Sequence, residues 1–164
     1  MPRHRRRPND IMHRRFAELM TPLDGKCQKL LAMSPVEAST VPTDTPVGGV
    51  YLFSEDDAHL YVGRTRRSIR DRIRNQFGAN PNAASFPWLI AREATDRRAT
   101  YRPRGSRTEL LTDPEFRTAY DDARGRIRQM QVRYVHEPEP LRQALLEMYV
   151  AVVTAARYND FDTH

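Results

Sequence analysis

Residues 48–63 contain two short segments in which apolar and other side chains alternate with the two-residue period of a β-strand. The polar residues between them form a connection of the length that hairpins favour. The pattern therefore predicts an antiparallel hairpin. In the predicted register, Leu52 lies opposite Leu60 on the face toward the core, and Tyr51 lies beside Tyr61 on the other face.

After this hairpin the apolar positions change to a helical period. Ile69, Ile73 and Phe77 recur every four residues, and Ser68 is a suitable cap for a helix that begins there. The flanks and outer face of this predicted helix are basic, with Arg70, Arg72 and Arg74. The pattern thus places a guanidinium cluster directly after the two tyrosine-bearing strands.

The rest of the chain is predicted to be helical with one further strand. Near the N-terminus a helix is expected over residues 10–20, and after an interruption at Pro22 and Gly25 its apolar face continues to residue 33. Further helices are expected over residues 85–95, from residue 113 to a break at Gly125, and after residue 140. A strand is expected over residues 130–136. Residues 34–46 show no period and are predicted to be a linker or extended loop. The expected class is α+β, a small three-stranded antiparallel sheet flanked by helices, with an N-terminal helical appendage and a helical insertion.

The last helix carries a long apolar stripe. Its members follow helical spacing and are predicted to be buried: Leu141, Ala144, Leu145, Met148, Val152 and Ala155. Glu147 lies just off this stripe, at the edge of the apolar face. By composition alone it is an ordinary boundary glutamate.

The chain of 164 residues carries a net charge of +6, and its pI is about 9.9. Of its 27 basic residues only Lys26 and Lys29 are lysines. Arginine binds phosphate through two parallel hydrogen bonds, so this composition suits a nucleic-acid partner. A GC-rich genome that encodes arginine in place of lysine would produce the same composition, so both interpretations stay open.

Two divisions of the chain are expected: residues 1–46 form a basic tail, a helical appendage and a linker, and residues 47–164 form the main domain, enlarged over about 78–129. The chain has a single cysteine, Cys27, so it forms no intramolecular disulfide. Cys27 is predicted to be a packing residue without a chemical role. No apolar run follows the basic N-terminus, and the apolar stretch 145–156 is short and contains Glu147. A cytoplasmic location without a membrane span is therefore expected.

The motifs resemble those of the GIY-YIG nuclease family. The sequence reads GVY, nine residues, YVG, then Arg-Thr and an Ile-x-x-Arg helix, with Val50 and Val62 where isoleucine is usual. In that family the two motifs are strands of a small antiparallel sheet, and the arginine of the next helix, here Arg72, opens onto the active site. The match covers both strands and the helix.

The resemblance also implies a metal ligand. The family places its single metal-binding carboxylate in a helix after the third strand, and an asparagine further on. Glu147 and Asn159 fit these positions in order and spacing. One carboxylate with several waters suffices for Mg²⁺, or for Mn²⁺ in its place. Many members carry histidine or tyrosine four residues after the arginine, whereas this chain has Gln76.

The resemblance gives each candidate residue a role in phosphodiester hydrolysis. Arg72 would offset charge on the phosphate oxygens, and Tyr51 and Tyr61 would orient or deprotonate the attacking water. A free phenol has a pKa of about 10, so it acts as a base only if neighbouring guanidinium groups lower that value; Arg64, Arg70 and Arg72 are the candidate neighbours. Because Gln76 does not titrate, either another group relays the proton or the rate is low. His59 is a candidate relay because strand alternation places it on the face of Tyr61.

Other basic side chains are predicted to contact nucleic acid. They are Arg64, Arg66, Arg70, Arg74, Arg102 and Arg104, the last two from a basic stretch around Tyr101. Trp88 is either a core residue or a platform for a base.

The leading hypothesis is a Mg²⁺-dependent endonuclease acting on DNA, with RNA as an alternative substrate. The rival hypothesis is a related module that binds nucleic acid without cutting it, supported by Gln76 and the enlarged middle region. Specificity is expected from that region, the basic tail, a partner or homodimerisation.

Overall fold

The computed structural model describes residues 13–100, 102–159 and 161. The predicted basic tail, the start of the first helix at Asp10, and Tyr101 lie outside these residues. Four antiparallel strands form one sheet in the order β1-β4-β2-β3. The strands are β1 (Val36–Glu37), β2 (Val47–Glu55), β3 (Ala58–Ser68) and β4 (Gln131–His136).

Helices cover both faces of this sheet, so the class is α+β. They are α1 (Arg14–Met20), α2 (Leu23–Ala32), α3 (Ile69–Asn75), α4 (Phe86–Thr95), α5 (Arg107–Leu110), α6 (Pro114–Gln129) and α7 (Pro140–Thr154). Helices α2 and α7 pack on one face, and α3, α4 and α6 pack on the other. No described helix combines the length and apolar character needed to span a bilayer.

The predicted third strand is confirmed as β4, but the expected count of three strands is wrong. The segment predicted as a linker contains β1, in which Val36 pairs with Val132 of β4. A 3-10 turn, Ala38–Thr40, follows it, and Ala38 is buried. A strand of two residues is too short to produce an alternating pattern, so the sequence held no signal for it.

The hairpin of β2 and β3 is confirmed, but its predicted register is wrong. Tyr51 pairs with Gly63, and Phe53 pairs with Tyr61. The pairing shifts after Phe53, because a β-bulge leaves Leu60 without an opposite residue. Leu60 therefore packs with the cluster of Tyr51 and Phe53, and Leu52 packs on the other face.

The bulge also reverses the predicted side of His59. This residue pairs with Ser54, whose side chain points away from the face of Phe53 and Tyr61. The Ser54 hydroxyl and His59 Nδ1 are 2.9 Å apart and hydrogen-bond. His59 thus lies on the sheet face opposite to Tyr61, which contradicts the geometry on which its relay role was predicted.

Helix α7 buries a different face from the predicted one. Its buried residues are Gln143, Leu146, Val150 and Ala151. Leu141 and Met148 are each 50% exposed and Val152 is 70% exposed. Because the helix is apolar around most of its circumference, spacing alone does not identify the core face. The break predicted at Gly125 is also wrong, since α6 continues to Gln129.

The predicted helical appendage packs on the sheet, as expected. Helix α2 buries Leu23, Cys27 and Leu30 against α7 and the strands, and Cys27 is a packing residue. The enlarged region contains α4, α5 and α6. A separate cluster holds α4 and α6 together through Trp88, Ala91, Phe116 and Tyr120.

Candidate active site

An open groove of about 630 Å³ runs between the end of β3, helix α3 and helix α7. We call it the basic groove. Its charged lining comprises four arginines and two carboxylates, namely Arg64, Arg66, Arg67, Arg72, Asp71 and Glu147. Thr65, Ser68 and Asn75 complete it. The excess of positive charge suits a phosphate backbone.

Tyr51 is buried beside Arg72, and its partner across the sheet is a glycine. A β-carbon at Gly63 would lie 2.8 Å from Cε2 of the Tyr51 ring and closer still to Cζ and Oη. The ring therefore lies directly across Gly63, in space that only glycine leaves free. Tyr51 is fully buried, and its hydroxyl accepts a hydrogen bond of 2.9 Å from Nε2 of Gln76.

Gln76 therefore has a structural role next to the tyrosine. It ends helix α3 as the C-cap and is fully buried, with Oε1 left without a hydrogen-bond partner among the described residues. Its amide fixes the position of the Tyr51 hydroxyl, but an amide does not accept a proton at neutral pH. Gln76 thus supplies a hydrogen bond to Tyr51 at this position but no titratable group.

Tyr61 lies on the same sheet face as Tyr51, as predicted, although the two residues do not pair. Its ring stacks on Phe86 of α4, with the centroids 4.6 Å apart and the planes at 11°. Tyr51 and Phe53 pack edge to face, 5.8 Å apart, in the same aromatic cluster. Both phenols are therefore held rigidly by packing.

Both phenols are also held in the neutral form. Burial raises the pKa of Tyr51 above its ordinary value, and Arg72 and the Gln76 hydrogen bond offset only part of this effect. Burial also raises the pKa of Tyr61, and the neighbouring Tyr51 and Glu147 raise it further. The expected lowering by nearby guanidinium groups is therefore outweighed by burial. At neutral pH both side chains therefore act as hydrogen-bonding groups and not as bases, and Tyr51, which is fully buried, bonds only to protein groups.

Arg72 links the tyrosines to the carboxylate. It lies in α3, and its Nη1 donates to the backbone oxygen of Ala83, which directs the guanidinium toward the groove. It is close enough to lower the pKa values of Tyr51 and Glu147. The structure therefore brings Tyr51, Tyr61, Arg72 and Glu147 together, although they come from β2, β3, α3 and α7.

Glu147 is a half-buried carboxylate that is paired with an arginine. Arg64 Nε lies 2.9 Å from its Oε2. Burial raises the pKa of Glu147, and the charges of Arg64 and Arg72 counteract the shift. Leu146, the neighbouring residue of α7, is fully buried, and this anchors the carboxylate at the groove edge.

The groove offers Glu147 as a protein ligand for a divalent cation. Within the described residues, no three His, Cys, Asp or Glu side chains are grouped to hold a metal. One carboxylate is compatible with Mg²⁺, which retains several waters and takes phosphate oxygens of a substrate as further ligands. Arg64 already occupies one oxygen of Glu147. A cation and Arg64 would therefore compete for this carboxylate.

Asn159 is committed to the backbone. Its Oδ1 accepts from the Val62 amide at 2.6 Å, and its Nδ2 donates to the Val62 carbonyl at 2.8 Å. The amides of Arg157 and Tyr158 bind the carbonyls of His59 and Leu60. The segment thus covers the free edge of β3 and positions the strand that carries Tyr61.

The predicted nucleic-acid contacts divide into two groups. Arg64 and Arg66 line the basic groove, whereas Arg70 and Arg74 of α3 do not. Arg70 instead donates through Nε to the carbonyl of Val41, 3.1 Å away. Arg102 and Arg104 lie in the exposed loop between α4 and α5.

Sequence reasoning missed Arg67 and Asn75, which also line the groove. Arg67 follows Arg66 directly near the end of β3, but the predicted strand ends at Gly63, so no pattern assigns Arg67 to a face. Asn75 lies three residues after Arg72 on the same helix, and that spacing could have identified it.

No model of a known protein family, no curated protein and no solved structure matches this chain significantly.

Proposed function

We propose that this chain is a metal-dependent endonuclease that hydrolyses phosphodiester bonds in DNA, built on a GIY-YIG-like fold. The observation that carries the proposal is the convergence of Tyr51, Tyr61, Arg72 and Glu147 from four separate elements beside one basic groove. The GVY and YVG motifs lie on adjacent antiparallel strands, and Arg72 lies on the helix that follows them. A scaffold without chemistry would have no need for this arrangement.

Each group has a task that suits its environment. Arg64, Arg66 and Arg67 bind the phosphates of the strand in the groove, because exposed guanidinium groups attract polyanions without reading sequence. Arg72 stabilises the charge that develops on the non-bridging oxygens. The neutral phenol of Tyr61 orients the attacking water, and the phenol of Tyr51, which is fully buried beside Arg72, holds this arginine in place.

Glu147 is the residue that would hold Mg²⁺ or Mn²⁺. A bound cation would supply Lewis-acid stabilisation of the leaving oxygen. Phosphates entering the groove compete for Arg64, so substrate binding favours release of the carboxylate from its ion pair with this arginine. Metal and DNA are then expected to bind cooperatively.

A second candidate is a module that binds nucleic acid without cutting it. Two observations favour it: Gln76 occupies the buried position against the Tyr51 hydroxyl, and Arg64 pairs with Glu147. In this alternative the Arg64 ion pair persists, and the groove acts only through its charge.

Cleavage and binding assays on the same samples separate the two candidates. Labelled single-stranded, duplex and branched DNA are incubated with the protein and Mg²⁺, Mn²⁺ or a chelator, and binding is measured by gel shift over a salt series. The proposal predicts metal-dependent products, lost in Tyr51→Phe and Arg72→Ala. Tyr149→Phe is the matched control, because it removes a phenol that bonds Asp24 outside the groove.

The outcomes point in different directions. Salt-sensitive binding with no metal-dependent product from any DNA form would support the binding module. Equal cleavage by the wild type and the two groove variants would overturn the assignment of the active site.

A further inference from the structure

A second pocket, of about 590 Å³, lies between α4, residues 97–100 and the start of α5 and α6. We call it the tryptophan pocket. Its wall is apolar and includes Trp88, Leu89 and Phe116. The guanidinium groups of Arg92, Arg98 and Arg107 also line it. None of them belongs to the basic groove.

The wall of the pocket is rigid. Trp88 is 6% exposed, and its Nε1 donates to the Pro81 carbonyl at 2.7 Å. Phe116 and Tyr120 pack against the indole at centroid distances of 5.5 and 4.8 Å. Most of the indole ring is therefore buried, as the interpretation of Trp88 as a core residue predicts.

The indole also carries a cation. The guanidinium carbon of Arg107 lies over the ring, 4.9 Å from its centroid. An arginine plane held on an aromatic ring is itself a stacking surface for a base. Trp88 and Arg107 together therefore offer the planar platform that the indole alone does not expose.

Charge around the pocket is not balanced. Arg97 pairs with Asp113 at 2.6 Å and with Glu115 at 3.2 Å. Within the described part of the chain, Arg92, Arg98 and Arg107 form no ion pair. These three guanidinium groups can therefore bind an anion. Because the wall between them is apolar, the ligand that fits best is an anion that also has a flat apolar part.

We propose that the tryptophan pocket binds one unpaired nucleotide of the DNA substrate. The base stacks on Arg107 and contacts Leu89, and the adjoining phosphate binds Arg92 and Arg98. The volume lies in the range of pockets that hold small ligands, roughly 300–1,000 Å³. A base inside a duplex is stacked and paired, so it does not enter.

The tryptophan pocket adjoins residues that contact Arg72 and Tyr61 of the proposed active site, so this inference rests on the proposed function. Ala83 accepts the hydrogen bond from Arg72, and Phe86 stacks on Tyr61. Ser85, between them, lines the tryptophan pocket and lies at most about 7.6 Å from Ala83 along the chain. The pocket is thus placed to select DNA that is frayed, looped or branched next to the cut.

Trp88 is the only tryptophan of the chain, so its fluorescence reports on this pocket. The full-length Glu147→Gln protein is titrated, without metal, with a single-stranded oligonucleotide, its duplex form and a deoxymononucleotide. The single strand is expected to change the fluorescence saturably, and the duplex is expected to bind with little change.

Arg107→Gln is expected to weaken single-strand binding about tenfold, the scale of one stacked base. Arg128→Gln is the matched control, because it removes the same charge from an exposed position of α6 outside the pocket. Arg92→Gln is a second variant, and circular dichroism verifies that each variant is folded.

Equal losses in Arg107→Gln and Arg128→Gln, or equal fluorescence changes with single strand and duplex, would overturn the proposal. A response to the mononucleotide but not to the oligonucleotide would also overturn it, since the ligand would then be a free nucleotide. These titrations need no cleavage, so failure of the nuclease proposal remains a separate result.

Discussion

Replacement of Gly63 by alanine tests the position of Tyr51 directly. The added β-carbon would lie 2.8 Å from Cε2 of Tyr51 and closer to Cζ and Oη, and these atoms belong to a fully buried ring. The ring must therefore move, which costs about 1–3 kcal/mol as overpacking. The hydrogen bond from Gln76 is lost with it, at about 0.5–1.5 kcal/mol.

The expected decrease in the free energy of unfolding is about 1.5–4.5 kcal/mol, or roughly 3–18 °C in Tm. The matched control is Gly25→Ala. Gly25 lies inside α2, where an added β-carbon meets no heavy atom within 4 Å. Alanine there should stabilise the protein by about 0.5–1 kcal/mol.

Urea denaturation followed by far-UV circular dichroism measures both variants. Gly63→Ala is also expected to lose cleavage, because the displaced Tyr51 no longer holds Arg72 in place, whereas Gly25→Ala retains it. If Gly63→Ala unfolds with the same free energy as Gly25→Ala, Tyr51 does not lie across Gly63 and the proposed arrangement of the site is wrong.

Three further predictions concern other parts of the site. Arg64→Gln should tighten Mn²⁺ binding measured by calorimetry, because it frees Glu147 from its ion pair. It should also reduce the slope of the logarithm of the DNA-binding constant against the logarithm of the salt concentration by about one. Weaker Mn²⁺ binding would contradict the competition between Arg64 and the cation for Glu147. Asn159→Ala should lower the free energy of unfolding by about 1–3 kcal/mol, because it leaves the buried amide and carbonyl of Val62 unpaired; no loss in urea denaturation would refute this. Burial and the charge of Arg133 lower the pKa of His59 in the folded state, so the unfolded chain binds its proton more readily and stability should fall as pH drops below about 6.5. Between pH 7 and pH 5, the free energy of unfolding should decrease less in His59→Gln than in the wild type. The same pH dependence in both proteins would contradict the lowered pKa of His59.

The sequence predicted local elements well because their signals are local. The helix start at Ser68 and the cap of α6 at Asp113 are confirmed, since each side chain accepts a hydrogen bond from the backbone of the first turn. The strand β4 is also confirmed, because its residues alternate along a run long enough to show the period.

Features that depend on distant parts of the chain were not predictable. The bulge at Leu60 changes the register of the hairpin, and nothing in the alternation of either strand marks it. The core face of α7 depends on where α2 and the sheet pack against it. The ion pair of Arg64 with Glu147 joins residues 83 positions apart and was not foreseen.

The candidate residues were foreseen as a set through the motifs, but their environments were not. The sequence placed Tyr51 and Tyr61 on one face, and it suggested that arginines would lower their pKa values. Burial reverses that expectation for both phenols. Side-chain protonation depends on the packing of elements that lie far apart in sequence, here α3, α4 and α7, so it emerges only from the folded structure.

The central claim is that the basic groove hydrolyses DNA through Glu147. Its most direct test is the single-turnover cleavage rate of the wild type and of Glu147→Gln, with Mg²⁺, on DNA that has an unpaired strand. Glu18→Gln, on the exposed surface of α1, is the control. The account predicts metal-dependent cleavage that falls about a hundredfold or more in Glu147→Gln and is unchanged in Glu18→Gln. Cleavage at the same rate in all three proteins would contradict it.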